Sequence, residues 1–268
     1  MVRSAADVGP VWGESARRYI TACDYAENAE YLLFIQELCL RTNPTRANVV
    51  LEVGSGPGTL CSLLKEKHPT ALVIGIDASL EMIRHSSQTY RNVQFVQGDA
   101  HALPLESNSI DHVVSLNALH HLTSLDTAIR EFLRVLRPGA FAYLGDLRRD
   151  APEMAVSAKL ERMHPEIRQD FLMSLDSAFE SGEVMEAVEL AGAAECAVRP
   201  AGRFAHDLSR FPCDPLHHEL DLSLSFRATF RKPMAMPHTF ARDEYASPPM
   251  SQVVATSACR RDLTPDRG

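Results

Sequence analysis

The spacing of apolar residues changes repeatedly along the chain, from short continuous runs to steps of three and four. The short runs predict five strands, at residues 49–53, 72–76, 93–96, 111–116 and 140–145. The clearest helical spacing covers residues 125–136, where we expect Thr123 or Ser124 to cap the start and Pro138-Gly139 to end the helix. Alternation of strands and helices predicts an α/β fold, doubly wound, with a mostly parallel sheet between helices.

The segments on either side of this alternation are helical in pattern. Residues 13–42 predict an N-terminal helical region. Residues 151–180 predict a helical insertion of one or two helices, followed by a helix at 183–194. Because the insertion follows the fifth strand, it either roofs a substrate pocket or forms a peripheral helical pair, and the sequence leaves both open.

The last third of the chain contains one more strand. Apolar and polar residues alternate over 222–230, which predicts an antiparallel last strand paired with a segment of 196–209. Beyond Pro233 no period is present. We therefore expect one domain over 1–233 and a poorly ordered tail over 234–268.

The most informative motif is the turn after the first predicted strand, which reads Glu52-Val53-Gly54-Ser55-Gly56-Pro57-Gly58. Its alternate glycines let the backbone turn sharply and come close to a ligand. A helix that starts at this turn directs free N–H groups and a positive dipole end towards it. The second strand ends on Asp77, where a carboxylate can accept hydrogen bonds from ribose hydroxyls. The spacing predicts a nucleotide site.

Five motifs in order resemble those of the class I S-adenosylmethionine (SAM) dependent methyltransferases. They are the glycine turn, Asp77 with residues 78–83, and the segments 97–104, 109–122 and 133–140. The small-molecule branch that includes the ubiquinone and menaquinone C-methyltransferases is the most similar. The resemblance implies a seven-stranded Rossmann-like sheet, SAM as cofactor, and a lid formed by the N-terminal region 1–45.

The resemblance also implies which residues hold the cofactor. Glu52 reaches the amino-acid part of SAM, Asp77 holds the ribose, Met82 packs near the adenine, and Asp99 accepts from the adenine amino group. Tyr19 is included as a lid residue near the sulfonium. The full expected set is Tyr19, Glu52, Gly54, Ser55, Gly56, Gly58, Asp77, Ala78, Met82, Asp99, Ala100 and Asn117.

Each of these acids has a simpler interpretation. Glu52 would be a charged residue at a surface strand end, and Asp77 and Asp99 would be helix caps or turn residues. The site is favoured because all three acids fall at the ends of successive predicted strands, and an unpaired buried carboxylate is costly. NAD is disfavoured as the ligand, since its fingerprint places the third glycine one residue later than Gly58.

Methyl transfer requires the acceptor atom to be held about 3–3.5 Å from the methyl carbon, opposite the sulfur. A base is needed only when the acceptor must lose a proton. His120 and His121 follow the fourth strand and Asp146 ends the fifth, so these three are the candidate catalytic residues. For either histidine taken singly, packing against the next helix is the favoured alternative.

Charge and composition limit the partners. The net charge of −8 disfavours a nucleic-acid partner. No apolar run approaches the roughly 20 residues of a membrane span, and the N-terminus lacks a secretory segment, so a cytoplasmic protein is expected. The scattered cysteines are expected to be free thiols. No metal site is predicted, since Cys213 with His217-His218 lacks convergent ligand spacing.

The sequence thus predicts a methyltransferase that acts on a small-molecule acceptor, a secondary metabolite or a quinone-like aromatic. A homodimer is left open. Two rivals are also left open. One is a methyltransferase-fold protein that binds SAM without methyl transfer, as a cyclase or a binding module, and the other is a peptide or protein methyltransferase.

Overall fold

The computed structural model describes residues 3–4, 8–9, 11, 13, 16, 20, 29–39, 48–201 and 224–234. Tyr19, most of the expected lid and the tail beyond Met234 lie outside the described residues, as do Cys213 and His217-His218. The predictions made for them stay predictions. Among the described residues, no helix has the length and apolar character that a membrane span requires.

A single mixed sheet forms the centre of the described part. Its strands are β1 Val49–Val53, β2 Leu72–Asp77, β3 Gln94–Gln97, β4 Ile110–Leu116, β5 Leu136–Leu147, β6 Ala194–Pro200 and β7 Ser225–Arg231. They are ordered β3-β2-β1-β4-β5-β7-β6. Strands β1 to β5 pair in parallel, and β7 is antiparallel to both β5 and β6. This confirms the predicted fold class, a doubly wound, mostly parallel seven-stranded sheet with an antiparallel last strand.

Helices cover both faces of the sheet. They are α1 Ala29–Cys39, α2 Thr59–Lys67, α3 Leu80–Thr89, α4 Leu125–Val135, α5 Glu153–Arg162, α6 Pro165–Ser177 and α7 Ser181–Leu190, with a 3-10 turn at Leu119–His121. Successive residues of a strand point to opposite faces. Val50 of β1 accordingly packs with α1 and α2 on one face, and Leu51 packs with α4 and α7 on the other.

The start of α4 agrees with the prediction, but its end does not. The N-cap of α4 is Ser124, whose hydroxyl accepts from the backbone N–H of Thr127. The helix ends at Val135, so Pro138-Gly139 does not end it. Leu136 is already paired with Ile110 of β4 and fully buried. The strand therefore begins before the proline, because a tertiary pairing overrides the local stop signal.

The region after β5 folds as two inserted helices, α5 and α6, followed by α7. The helix expected at 183–194 starts earlier, where the side chains of Glu180 and Glu183 cap its first turn, and it ends at Leu190. Gly192 has a φ of 76°, which breaks the helix before β6. Besides β5, the partner of β7 is β6, which overlaps the segment 196–209 expected from the sequence.

Candidate functional site

A cavity of about 250 Å³ opens at the carboxyl ends of the parallel strands. This is where ligands of open α/β sheets bind, because the loops after the strands converge there. The members of the expected cofactor set that line it are Gly54, Gly56, Asp77, Ala78, Met82, Asp99, Ala100 and Asn117. His121 lines it as well. The described residues that line the cavity do not include Glu52, Ser55, Gly58, His120 and Asp146.

The glycine turn is shaped by the protein around it. At Gly54, with φ of +73°, an added Cβ would lie 2.3 Å from the Cβ of Ala118 in the loop after β4. At Gly58, with φ of +90°, an added Cβ would lie 2.7 Å from the ring of Phe95. Positive φ and these contacts both require glycine. The turn is thereby held close against the neighbouring loop.

Asp77 joins the turn to the second strand. Its Oδ2 accepts from the backbone N–H of Gly56 and its Oδ1 from that of Ser79, each at 2.8 Å. Burial raises the pKa of Asp77, and these two hydrogen bonds oppose the rise. The N-cap of α3 is Ser79, whose hydroxyl accepts from Met82 N–H. Asp77 is therefore more than a helix cap, since it orders the glycine turn while lining the cavity.

Glu52 lies beneath the turn, with only 3% of its surface exposed, so the surface interpretation of this residue is wrong. Burial raises the pKa of Glu52 to about 8; a hydrogen bond with Cys61 opposes the rise and the charge of Asp77 adds to it. Its Oε2 has no hydrogen-bond partner among the described residues. A buried acceptor without a donor is unfavourable, and a cationic ligand group would relieve it.

Asp99 follows β3 and is bound to His101, which the sequence analysis did not single out. The Oδ1 of Asp99 accepts from the backbone N–H of His101 at 2.9 Å and lies 2.6 Å from its Nδ1. Burial alone would raise the pKa of Asp99, but the bonds to His101 outweigh it and lower the pKa. His101 itself lines the cavity. A histidine two residues after the expected adenine-reading acid was the signal that could have identified it.

The two adjacent histidines have different environments. His120 is 5% exposed, and its Nδ1 lies 2.7 Å from Oδ1 of Asp146. The carboxylate also accepts from the backbone N–H groups of His120 and Leu147. Burial alone would raise the pKa of Asp146, but the charge and hydrogen bonds of His120 lower it. The ring of His121 packs on that of His120, with centroids 4.1 Å apart, and borders the cavity.

The N-terminal segment and the insertion support this wall of the cavity. Arg3 donates to the carbonyls of His120 and Leu122, each at 2.8 Å, and to that of Ser177 at 2.6 Å. The N–H of Gly9 donates to the carbonyl of His121, and Gly9 lines the cavity. No residue of 151–180 is among the described lining residues. Helix α6 of the insertion contacts the 3-10 turn at Leu119–His121, and the role of the insertion as a roof stays a prediction.

Within the described residues, no group of three or more His, Cys, Asp or Glu side chains is arranged to hold a metal ion.

Residues 51–144 match a family model described as a methyltransferase domain. Over 48% of its length the chain is 31% identical to the trans-aconitate 2-methyltransferase of Azoarcus sp. (strain BH72), 48% of which is covered. Over 41% of its length it is 36% identical to the demethylmenaquinone methyltransferase of Chlorobaculum tepidum, 45% of which is covered. The chain thus spans about half the length of these curated relatives.

A solved SAM dependent methyltransferase from Aquifex aeolicus has the same fold. The TM-score is 0.58 at 17% sequence identity, and the alignment covers 80% of this chain and 97% of that one.

Proposed function

We propose that this chain, whose residues 51–144 match a methyltransferase-domain model, uses SAM as its cofactor and transfers the methyl group of SAM to a small-molecule acceptor. One observation carries the proposal. The acids expected to hold the nucleoside, Asp77 and Asp99, line the same cavity as His121. The expected cofactor subsite and the imidazole of His121 therefore lie in the same cavity. The names of the two curated relatives, which refer to trans-aconitate and demethylmenaquinone, support a small acceptor.

The residues present fit the parts of SAM. Asp77 and Asp99 offer carboxylate oxygens to hydroxyl and amino hydrogens of an adenosine. Glu52 lies beneath the turn with a buried oxygen that lacks a donor, and it would reach the cationic amino-acid end through a bridging water. When bound, SAM supplies an electrophilic methyl group on a sulfonium. Orienting the acceptor and removing any proton that it must lose then fall to the chain itself.

The wall around His121 suits an apolar acceptor. Leu119 and Leu122 flank it in the sequence and also line the cavity, and Phe132 lies there too. Such a lining excludes water and supports an aromatic, quinone-like acceptor. His121 would remove a hydroxyl proton from that acceptor, while the buried pair of His120 and Asp146 holds the turn that carries His121.

A binding and turnover assay tests this function. The purified protein is expected to bind SAM and S-adenosylhomocysteine in calorimetry, with NAD much weaker, and to form S-adenosylhomocysteine with hydroxylated aromatics. His121→Phe is expected to lower kcat by about 100-fold, a typical contribution of a general base, with the dissociation constant of SAM unchanged. His164→Phe, at an exposed position, is the matched control.

Absence of SAM binding would overturn the function. Binding without turnover on any acceptor would favour the cyclase or binding module, and turnover only on peptides would favour the second rival. The cytoplasmic location and the homodimer stay predictions.

Asp77→Ala is expected to weaken SAM binding by about 1–3 kcal/mol, because it leaves ribose hydroxyls unpaired and frees the N–H of Gly56. Asp77→Asn should also weaken it, since an amide nitrogen would face one of the two N–H groups that the carboxylate accepts from. Calorimetric titration of SAM measures both variants. Asp126→Ala, at an exposed position of α4, is the control. An unchanged dissociation constant in a folded Asp77→Ala protein would remove this acid from the site.

A further inference from the structure

We propose that His101 is a positioning residue that fixes Asp99 as the reader of the nucleobase and thereby selects a cofactor with a 6-amino purine. The inference rests on the proposed function and deepens it. The imidazole of His101 joins two loops of the cavity, since its Nδ1 lies 2.6 Å from Oδ1 of Asp99 and its Nε2 lies 3.2 Å from the backbone nitrogen of Ser124.

The second of these contacts determines where the ring hydrogen lies. A backbone N–H can only donate, so Nε2 of His101 accepts from Ser124. In the neutral ring the hydrogen is then on Nδ1, where it donates to Asp99. The hydroxyl of Thr123 lies 3.2 Å from the same Nε2. The orientation of the ring is therefore set by the N-cap region of α4, which is anchored in the core by Leu125.

Asp99 needs such an anchor. Its side chain is 63% exposed, whereas that of His101 is only 19% exposed. Both bonds from His101 reach Oδ1, and no described residue hydrogen-bonds Oδ2. An exposed carboxylate without the ring would have to be immobilised when a ligand binds, which lowers affinity. With the ring in place, one oxygen is held and the other is left to accept from a ligand.

The chemistry of the carboxylate gives the selectivity. An ionised carboxylate only accepts hydrogen bonds, so it favours the 6-amino group of adenine, which donates. Hypoxanthine has a carbonyl oxygen at that position, and two acceptors would face each other. A site built to accept from a donor rejects an analogue that lacks it, because its own polar group is left unpaired. The preference for an adenosine over an inosine cofactor thus reports how well Asp99 is held.

The test compares S-adenosylhomocysteine with S-inosylhomocysteine by calorimetry. His101→Phe keeps the ring volume and removes both nitrogens. It is expected to weaken S-adenosylhomocysteine by about 10-fold and S-inosylhomocysteine much less, since only the first uses the oriented carboxylate. His101→Asn places an amide N–H near the position of Nδ1 and should recover most of the preference. His85→Phe, on α3 and away from the cavity lining, is the matched control.

A double variant shows whether His101 acts through Asp99. If it does, adding His101→Phe to Asp99→Asn should change the preference no further than Asp99→Asn alone. Equal loss for both ligands, an unchanged preference in His101→Phe, or additive effects in the double variant would each overturn the inference. If His101→Phe does not fold, the preference for S-adenosylhomocysteine over S-inosylhomocysteine is compared between His101→Asn and the double variant Asp99→Asn, His101→Asn. A preference that is equal in the two variants would overturn the inference. A wild-type protein that binds neither ligand would instead contradict the proposed function.

Discussion

Replacing Glu52 by Gln is expected to stabilise the ligand-free protein by about 4 kcal/mol at pH 8, an unusual gain for one substitution. The cause is the buried carboxyl group, whose pKa rises from 4.5 to about 8 in the folded chain. Each unit of difference corresponds to about 1.4 kcal/mol of folding free energy once the unfolded chain has lost its proton. The amide is neutral at every pH and incurs no such cost.

The sign of the pH dependence follows from the raised pKa. Below pH 4.5 both the folded and the unfolded wild-type chain are protonated at this position, so the variant and the wild type should differ least. As the pH rises from 4.5 to about 8, the wild type loses stability that the variant keeps, and above about 8 the difference between them stays constant. Denaturant unfolding at pH 5, 7 and 9 measures the difference. Glu153→Gln, at an exposed position, is the control, and a difference that does not grow with pH would contradict the prediction.

The same substitution should act in the opposite direction on the cofactor. A carboxylate beneath the glycine turn would be stabilised by the cationic amino-acid end of SAM, and a charge-assisted hydrogen bond contributes more than one to a neutral amide. Glu52→Gln is therefore expected to weaken SAM binding by about 10-fold or more while it raises stability. This combination is typical of residues retained for function at a cost in stability. An unchanged affinity would leave Glu52 with a structural role only.

Local patterns were sufficient for the strands that form the site. The glycine turn after β1 requires positive φ at Gly54, and this sharp stop made the end of the strand visible in the sequence. The end of α4 was misplaced for a different reason. Leu136 leaves its helix because Ile110, far away in the sequence, offers it a strand partner. A pairing of this kind has no local signal.

For the site, the sequence predicted the acids better than the histidines. Asp77 and Asp99 were expected to lie together because the carboxyl ends of parallel strands meet at one edge, and both line the cavity. The different environments of His120 and His121 could not be predicted, because they depend on the buried carboxylate of Asp146 from another strand. His101 was missed although it lies two residues after Asp99 in the sequence, because its contact with Ser124 exists only in the fold.

The buried pair gives the last prediction. Asp146→Asn is expected to destabilise the protein by about 3 kcal/mol, because breaking a buried charged interaction leaves its partners unsatisfied. Oδ1 of Asp146 accepts from the backbone N–H of Leu147 and faces Nδ1 of His120, and Oδ2 accepts from the backbone N–H of His120. In either orientation of the amide, its NH₂ group faces an N–H group. The turn before α4 would then lose its anchor.

Acid should reduce this difference. The pKa of Asp146 is lowered in the folded protein, so the stability that the carboxylate contributes is present above its ordinary value of 3.8 and is lost as the pH falls through the folded value. Denaturant unfolding at pH 7 and pH 3.5 measures it, with the exposed Asp170→Asn as control. Equal stability of Asp146→Asn and wild type at pH 7 would show that the pair does not hold the turn. Loss of turnover in such a variant would then favour direct participation of His120 in the reaction, because the position of His121 would be intact.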